Sequence, residues 1–176
     1  MPRWHSRLPG GKIQALSEVG EMSMYKKFEE YTDGLEIILR QIKSSKLMSA
    51  NNLQNVPAKG IYVLYEKSRP IYVGRSNRMR QRLKEHGQDR STHNSATFAF
   101  KLAKESAAEL GLNVKRKRAI LEKDPKFSEV FGQAKQRVAK MRFRFVPIED
   151  QVSQTLFEVY AILKLRTFKY NDFVTH

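Results

Sequence analysis

Cysteine is absent from this 176-residue chain. Its absence removes a disulfide framework, a thiol nucleophile and cysteine-ligated zinc, and it fits a reducing, cytoplasmic setting. No apolar run is long enough to span a bilayer, so no membrane partner is expected. The opening stretch MPRWHSRLPGGKIQALSEVG has no apolar block of the kind a secretory signal needs. Acid is also scarce: 18 Asp and Glu stand against 33 Lys and Arg, a formal charge of +15 with a pI near 10.1. A chain so basic is suited to a polyanion, and nucleic acid is the first candidate. Charge alone does not separate an enzyme from a ribosomal-type structural protein. Hydrophobic residues make up 40%, enough for one packed domain of this length.

Residues 1–21, broken by Pro9-Gly10-Gly11, read as a tail. Residues 22–55 read as a helical extension, with Met24, Phe28, Tyr31, Leu35, Ile38 and Ile42 at helical spacing and Gly34 as a candidate break. The domain proper then runs over 56–176. It opens with strand 61–65, the turn EKSRP and strand 71–73. A helix over about 78–86 follows, capped by Ser76 or Asn77 and stopped by Gly87. Another helix ends at Gly111, and two short ones break at Asp124-Pro125. MRFRFVPI alternates, with Met141, Phe143 and Phe145 on one face and Arg142 and Arg144 on the other, so it reads as a third strand. The final helix covers about 150–166. Residues 101–146 carry 13 Lys and Arg against 5 Asp and Glu, so much of the positive charge falls on a helical insertion at about 104–140. The run Lys115, Arg116, Lys117, Arg118 there suits phosphate contact, although a solvated helix face has the same composition.

Two tyrosines frame the hairpin. With a turn centred near Lys67, Tyr62 lies directly opposite Tyr72, on the face away from Ile61, Val63 and Tyr65. On the next helix Arg78, Arg82 and His86 are spaced i, i+4, i+8 and form one polar stripe. Glu158 is the only acid between Gln151 and Tyr170 and sits in the apolar stretch TLFEVYAILKL. A carboxylate there calls for a metal ion or for a salt bridge to an arginine such as Arg82.

The ordered set Gly60-Ile61-Tyr62, Tyr72-Val73-Gly74, Arg82, His86, Glu158 and Asn171 resembles the GIY-YIG nuclease family. The likeness covers roughly residues 56–102 and 141–173, with Val73 in place of the family's isoleucine. It implies an α+β fold, a small, mostly antiparallel three-stranded sheet flanked by helices. It also implies a metal-dependent endonuclease cutting DNA phosphodiesters, double- or single-stranded, with RNA the less favoured substrate. Tyr62, Tyr72, Arg82, His86, Glu158 and Asn171 would be the catalytic set. Glu158 would hold one Mg²⁺ or Mn²⁺, because the sequence offers one clear carboxylate rather than the several that a two-metal site uses. Arg82 would clamp the scissile phosphate, Tyr62 would orient or deprotonate water with His86 as rival base, and Tyr72 would help place the phosphate. Asn171 would hold a neighbour by hydrogen bonding. Arg75, Arg78, His93 and the four cations at 115–118 would contact the nucleic-acid backbone. The rival is an inactive basic binding module on the same fold. A stacking RNA reader is disfavoured, since only Phe127 and Phe131 are aromatic between Leu102 and Lys140. Oligomeric state is left open.

Overall fold

In a computed structural model of the chain, residues 18–171 are described; the rest of the expected N-terminal tail and residues 172–176 lie outside them. The elements are α1 (Glu18–Asp33), α2 (Leu35–Ser44), β1 (Met48–Ser49), β2 (Gly60–Glu66), β3 (Arg69–Ser76), α3 (Met79–Glu85), α4 (Thr97–Glu109), α5 (Arg118–Lys123), α6 (Pro125–Ala139), β4 (Arg142–Pro147) and α7 (Gln151–Leu165). The first helix starts inside the stretch expected as tail. Its break from α2 falls at Gly34, as the helical spacing suggested. The strands form one antiparallel sheet in the order β1-β4-β2-β3. The expected three strands are its body. The fourth, β1, pairs only Met48 and Ser49 with β4 and is too short for any alternation to announce it.

β2 is central, and six of its seven residues are buried. That accounts for its unbroken apolar run, because a strand covered on both faces has no polar side. Ile61, Val63 and Tyr65 join Val73, Leu39 and Phe157 in one core beneath α2 and α7. Tyr62 and Leu64 join Phe98, Phe127 and Phe143 in the other, beneath α3 to α6. The stretch 104–140 is therefore built into the fold rather than appended to it: Leu121, Phe127, Phe131 and Val138 are buried in the second core. Its cations masked this in the sequence, because the apolar positions recur at helical spacing between them. Asp124 starts α6 by accepting from the backbone N–H of Lys126 and Phe127, with Pro125 in the first turn.

The hairpin register differs from the symmetric expectation. Tyr62 pairs with Gly74, and Tyr72 pairs with Leu64. An irregularity after Leu64 takes up one extra residue on β3. The two tyrosines keep a common face but sit diagonally, their ring centroids 6.4 Å apart. The helix that follows has no side-chain cap; Ser76 Oγ instead accepts from the backbone N–H of Arg78.

Both glycines of the paired tripeptides are required by space. A Cβ on Gly60, whose φ is +146°, would lie 2.2 Å from the Val146 carbonyl oxygen. A Cβ on Gly74 would lie 2.4 Å from both Cζ and Oη of Tyr62, so the phenol crosses the neighbouring strand where a side chain is missing. A Cβ on Gly132, inside α6, would meet nothing within 4 Å. Gly74→Ala should therefore destabilise by about 1–3 kcal/mol through overpacking, whereas Gly132→Ala should stabilise by roughly 0.5–1 kcal/mol through helix propensity. Urea unfolding checks the pair, and shifts of the same sign would contradict the packing at Gly74.

Candidate active site

Strand β2 carries Tyr62 to its Gly60 end, where the ring meets α3. The Tyr62 hydroxyl lies 2.6 Å from His86 Nε2, and both residues are 1% exposed. Nδ1 of His86 has no hydrogen-bond partner among the described residues. Burial, with Arg82 close by, pushes His86 down to about 3 from 6.5, so the ring is neutral at physiological pH. Burial first, and Tyr72 next, raise the Tyr62 phenol well above 10, while the Arg82 charge opposes them. An imidazole held neutral supplies no positive charge beside Tyr62, which leaves that part to Arg82.

Tyr72 is partly exposed. Its ring stacks on Phe98 at 4.6 Å and meets His86 edge-on at 5.7 Å. Arg82, on the same helix as His86, is anchored from behind: Nη1 donates to the Ser95 carbonyl at 2.5 Å and Nη2 to Thr97 Oγ1 at 2.9 Å. Glu85 approaches it at 3.9 Å. Ser95 and Thr97 were not among the residues singled out from sequence, and the polar loop that carries Ser95 has no motif to reveal them. Lys135 of α6, 9% exposed, ties that loop down by donating to the Asp89 and Ser91 carbonyls.

Glu158 projects from α7 and is partly buried, 23% exposed. Its salt bridge is to Arg75 at 2.9 Å, not to Arg82; Arg75 also donates to Thr155 Oγ1 at 2.6 Å. Arg75 shares a face of the sheet with its partner Ile61, the face that α7 covers, whereas α3, which carries Arg82, packs on the other face through Met79 and Leu83. Burial raises the Glu158 carboxyl above its ordinary value and Arg75 partly offsets this. Asn171 grips the outer edge of β3: Oδ1 accepts from Val73 N at 2.8 Å and Nδ2 donates to Val73 O at 2.6 Å.

The sequence-derived backbone contacts scatter. Arg78 donates to Gln81, His93 pairs with Glu122, and Arg116 pairs with Asp124 at 2.6 Å. Arg118 lies over the Phe100 ring at 4.8 Å. Lys115 and Lys117 are exposed. Among the described residues no three His, Cys, Asp or Glu gather as a ready-made metal cage. A single carboxylate nevertheless fits Mg²⁺, which keeps waters and takes substrate phosphate oxygens rather than an all-protein shell.

The hairpin with its two tyrosines, the arginine-bearing helix α3 and the glutamate-bearing helix α7 are parts of one nuclease-type catalytic domain. A model of the GIY-YIG catalytic domain matches residues 58–171. The chain belongs to the GIY-YIG family, whose members generally depend on a divalent metal. The match runs through the stretch 104–140, consistent with its place in the core. No curated protein matches, and no solved structure does. No described helix is long and apolar enough to cross a membrane.

The buried imidazole makes stability depend on pH. The unfolded chain binds a proton at His86 below 6.5 and the folded chain only below about 3. Stability from this residue is complete above 6.5 and is lost as pH falls toward 3, at about 1.4 kcal/mol per pH unit. Between pH 7 and pH 5, wild type should lose about 2 kcal/mol more than His86→Gln in urea unfolding. Equal losses would mean that His86 is charged inside the fold. Asn171→Ala, which strips both partners from Val73, should cost about 1–3 kcal/mol in the same assay.

Proposed function

We propose that this protein is a metal-dependent DNA endonuclease that hydrolyses phosphodiester bonds. The observation that carries the reading is the buried Tyr62–His86 hydrogen bond at 2.6 Å, set beside Arg82 and Tyr72. A buried hydrogen bond between a neutral histidine and a phenol builds a fixed polar wall, which a merely packed aromatic pair would not need.

Burial changes the division of labour that the sequence suggested. Tyr62, at 1% exposure, is a positioning residue: its ring sets the depth of the site and its hydroxyl is held by His86. Tyr72, partly exposed, is the phenol that meets the attacking water, accepting its hydrogen bond and orienting it in line with the phosphorus. His86, fully enclosed and weakly basic, holds Tyr62 and is no longer a rival base. Arg82, pinned by Ser95 and Thr97, presents its charge to a non-bridging phosphate oxygen, where negative charge is preorganised for. Glu158 would hold a divalent cation, Mg²⁺ or Mn²⁺, which when bound supplies charge neutralisation at the scissile phosphate. Arg75, which pairs with Glu158, would be released to the phosphate backbone. Water adds to phosphorus, the P–O bond to the leaving sugar breaks, and the products are a phosphate monoester and an alcohol.

Glu158→Gln keeps the shape of the side chain and removes its charge. It should abolish nicking of supercoiled plasmid in Mg²⁺ while leaving metal-free DNA binding within a few-fold of wild type. Tyr72→Phe should lower turnover by about 10²-fold or more with little change in melting temperature. Tyr62→Phe should lower both turnover and stability, because it unpairs His86. Wild-type turnover in Glu158→Gln would remove the carboxylate from the chemistry. Tight DNA binding by wild type with no cutting in either Mg²⁺ or Mn²⁺ would instead favour the inactive binding module.

A further inference from the structure

Three cavities on the far side of Tyr72 share walls. The first, about 450 Å³, contains the cations Lys101, Lys104 and Arg118. The second, about 250 Å³, shares Lys169 and Tyr170 with the first and adds Arg69 and Arg166. The third, about 460 Å³, shares Glu66 and Arg137 with the second and adds Lys67, Lys140 and Arg142. Together their walls hold ten Lys and Arg against the two acids Glu66 and Glu105, a balance that favours an anion along the whole run. The run meets the candidate active site at its first two cavities: Ile71, next to Tyr72 on β3, lines the second, and Tyr170 lines both. The Tyr170 ring meets Phe98 at 5.3 Å, and Phe98 stacks on Tyr72.

Two backbone positions make this more than a charged surface. Among the described residues only Lys67 and Arg166 are non-glycine residues at positive φ, at +55° and +56°. Both are cations, and both line the run. Lys67 occupies the β2–β3 turn, and Arg166 is the left-handed cap of α7. Glycine is favoured in that conformation and would be easier to hold at each place. A long cation kept at a strained position is a sign that its side chain is used. Arg69, Lys104 and Arg166 have no carboxylate within ion-pairing distance among the described residues, so their charge is available to a ligand.

We infer that the linked cavities form one track for the phosphodiester backbone of the nucleic acid, leading away from the scissile phosphate toward the hairpin tip. The inference rests on the nuclease reading for its direction and extends that reading to where the rest of the strand lies. The two larger cavities, about 450 and 460 Å³, are the size of pockets that take small ligands, and the smaller one joins them, which suits successive nucleotides laid through the run. Phosphates would meet cations in all three cavities, and Tyr170, partly exposed between the first two, offers an aromatic face to a base.

The test uses Arg166→Gly and Lys67→Gly in the full chain, singly and together. Binding to a 30-mer single strand and to a 30-bp duplex is titrated without metal from low to moderate salt. Each variant should melt at or above the wild-type temperature, because the strained backbone is relieved. Each should nonetheless bind more weakly, and the double variant should lower the slope of log K against log salt by about 1–2. Loss on the single strand only, on the duplex only, or on both supports the track and identifies which form occupies it. An unchanged slope on both, in variants that fold and melt normally, overturns it. In that case plasmid cutting by wild type leaves the nuclease reading standing. If wild type binds neither nucleic acid, both readings fall. A short substrate covering only the scissile step should be cut at the wild-type rate by both variants, since neither residue belongs to the catalytic set.

Discussion

The phenol of Tyr62 lies across the space left by the missing side chain of Gly74, and the candidate site is arranged around that contact. The ring can reach His86 only by crossing β3 at a position without a Cβ. Once there, its hydroxyl is fixed at 2.6 Å from the imidazole, and His86 is drawn down into the core at the end of α3. Because α3 carries Arg82 and His86 caps its end, the same contact sets the depth at which the guanidinium meets the Ser95 carbonyl and the Thr97 hydroxyl. The first glycine of the pair acts similarly, letting β2 run tight against Val146 in β4. The two tripeptides are thus read most simply as a packing device: one glycine clears the way for the Tyr62 ring, and the other lets two strands close on each other.

The helical side of the fold is anchored through polar groups as well as apolar ones. Lys135 reaches from α6 to two carbonyls of the loop ahead of α4, and its ammonium also lies over the Phe131 ring at 4.7 Å. That loop leads into Ser95 and Thr97, which hold Arg82. A cation in the region richest in positive charge is thereby spent on architecture, and Arg116, paired with Asp124, is another. The region's overall charge therefore overstates how many of its side chains are available to a polyanion.

How much of this was legible in the sequence depended on the range of the interaction. The hairpin, the break at Gly34, the Asp124-Pro125 junction and the alternating strand MRFRFVPI follow from local rules of spacing and capping, and all four stand in the structure. The shared face of Tyr62 and Tyr72 was readable because strand parity survives a shift in register. Their diagonal offset was not, because the irregularity after Leu64 leaves no mark in residue types. Arg82 was named from sequence as an example of an arginine that could pair with Glu158, and Arg75 takes that place: strand parity puts Arg75 on the α7 face, while Arg82 rides on α3 against the other, and no helical spacing reveals that. The core role of α5 and α6 was hidden by their lysines and arginines. Ser95 and Thr97 matter through one carbonyl and one hydroxyl, which no pattern of residue types encodes.

Asn171 has a consequence beyond holding its neighbour. β3 is an outer strand of the sheet, and an outer strand offers a row of unpaired amides to any passing chain. The Asn171 side chain presents one acceptor and one donor to the N–H and C=O of Val73, the same complement that one residue of an adjoining strand would supply. The ladder is thus ended in mid-strand by a single amide that imitates a fifth strand one residue long. A second molecule approaching this edge finds its central rung already taken, and cannot extend the sheet past it without first displacing the chain's own C-terminal segment.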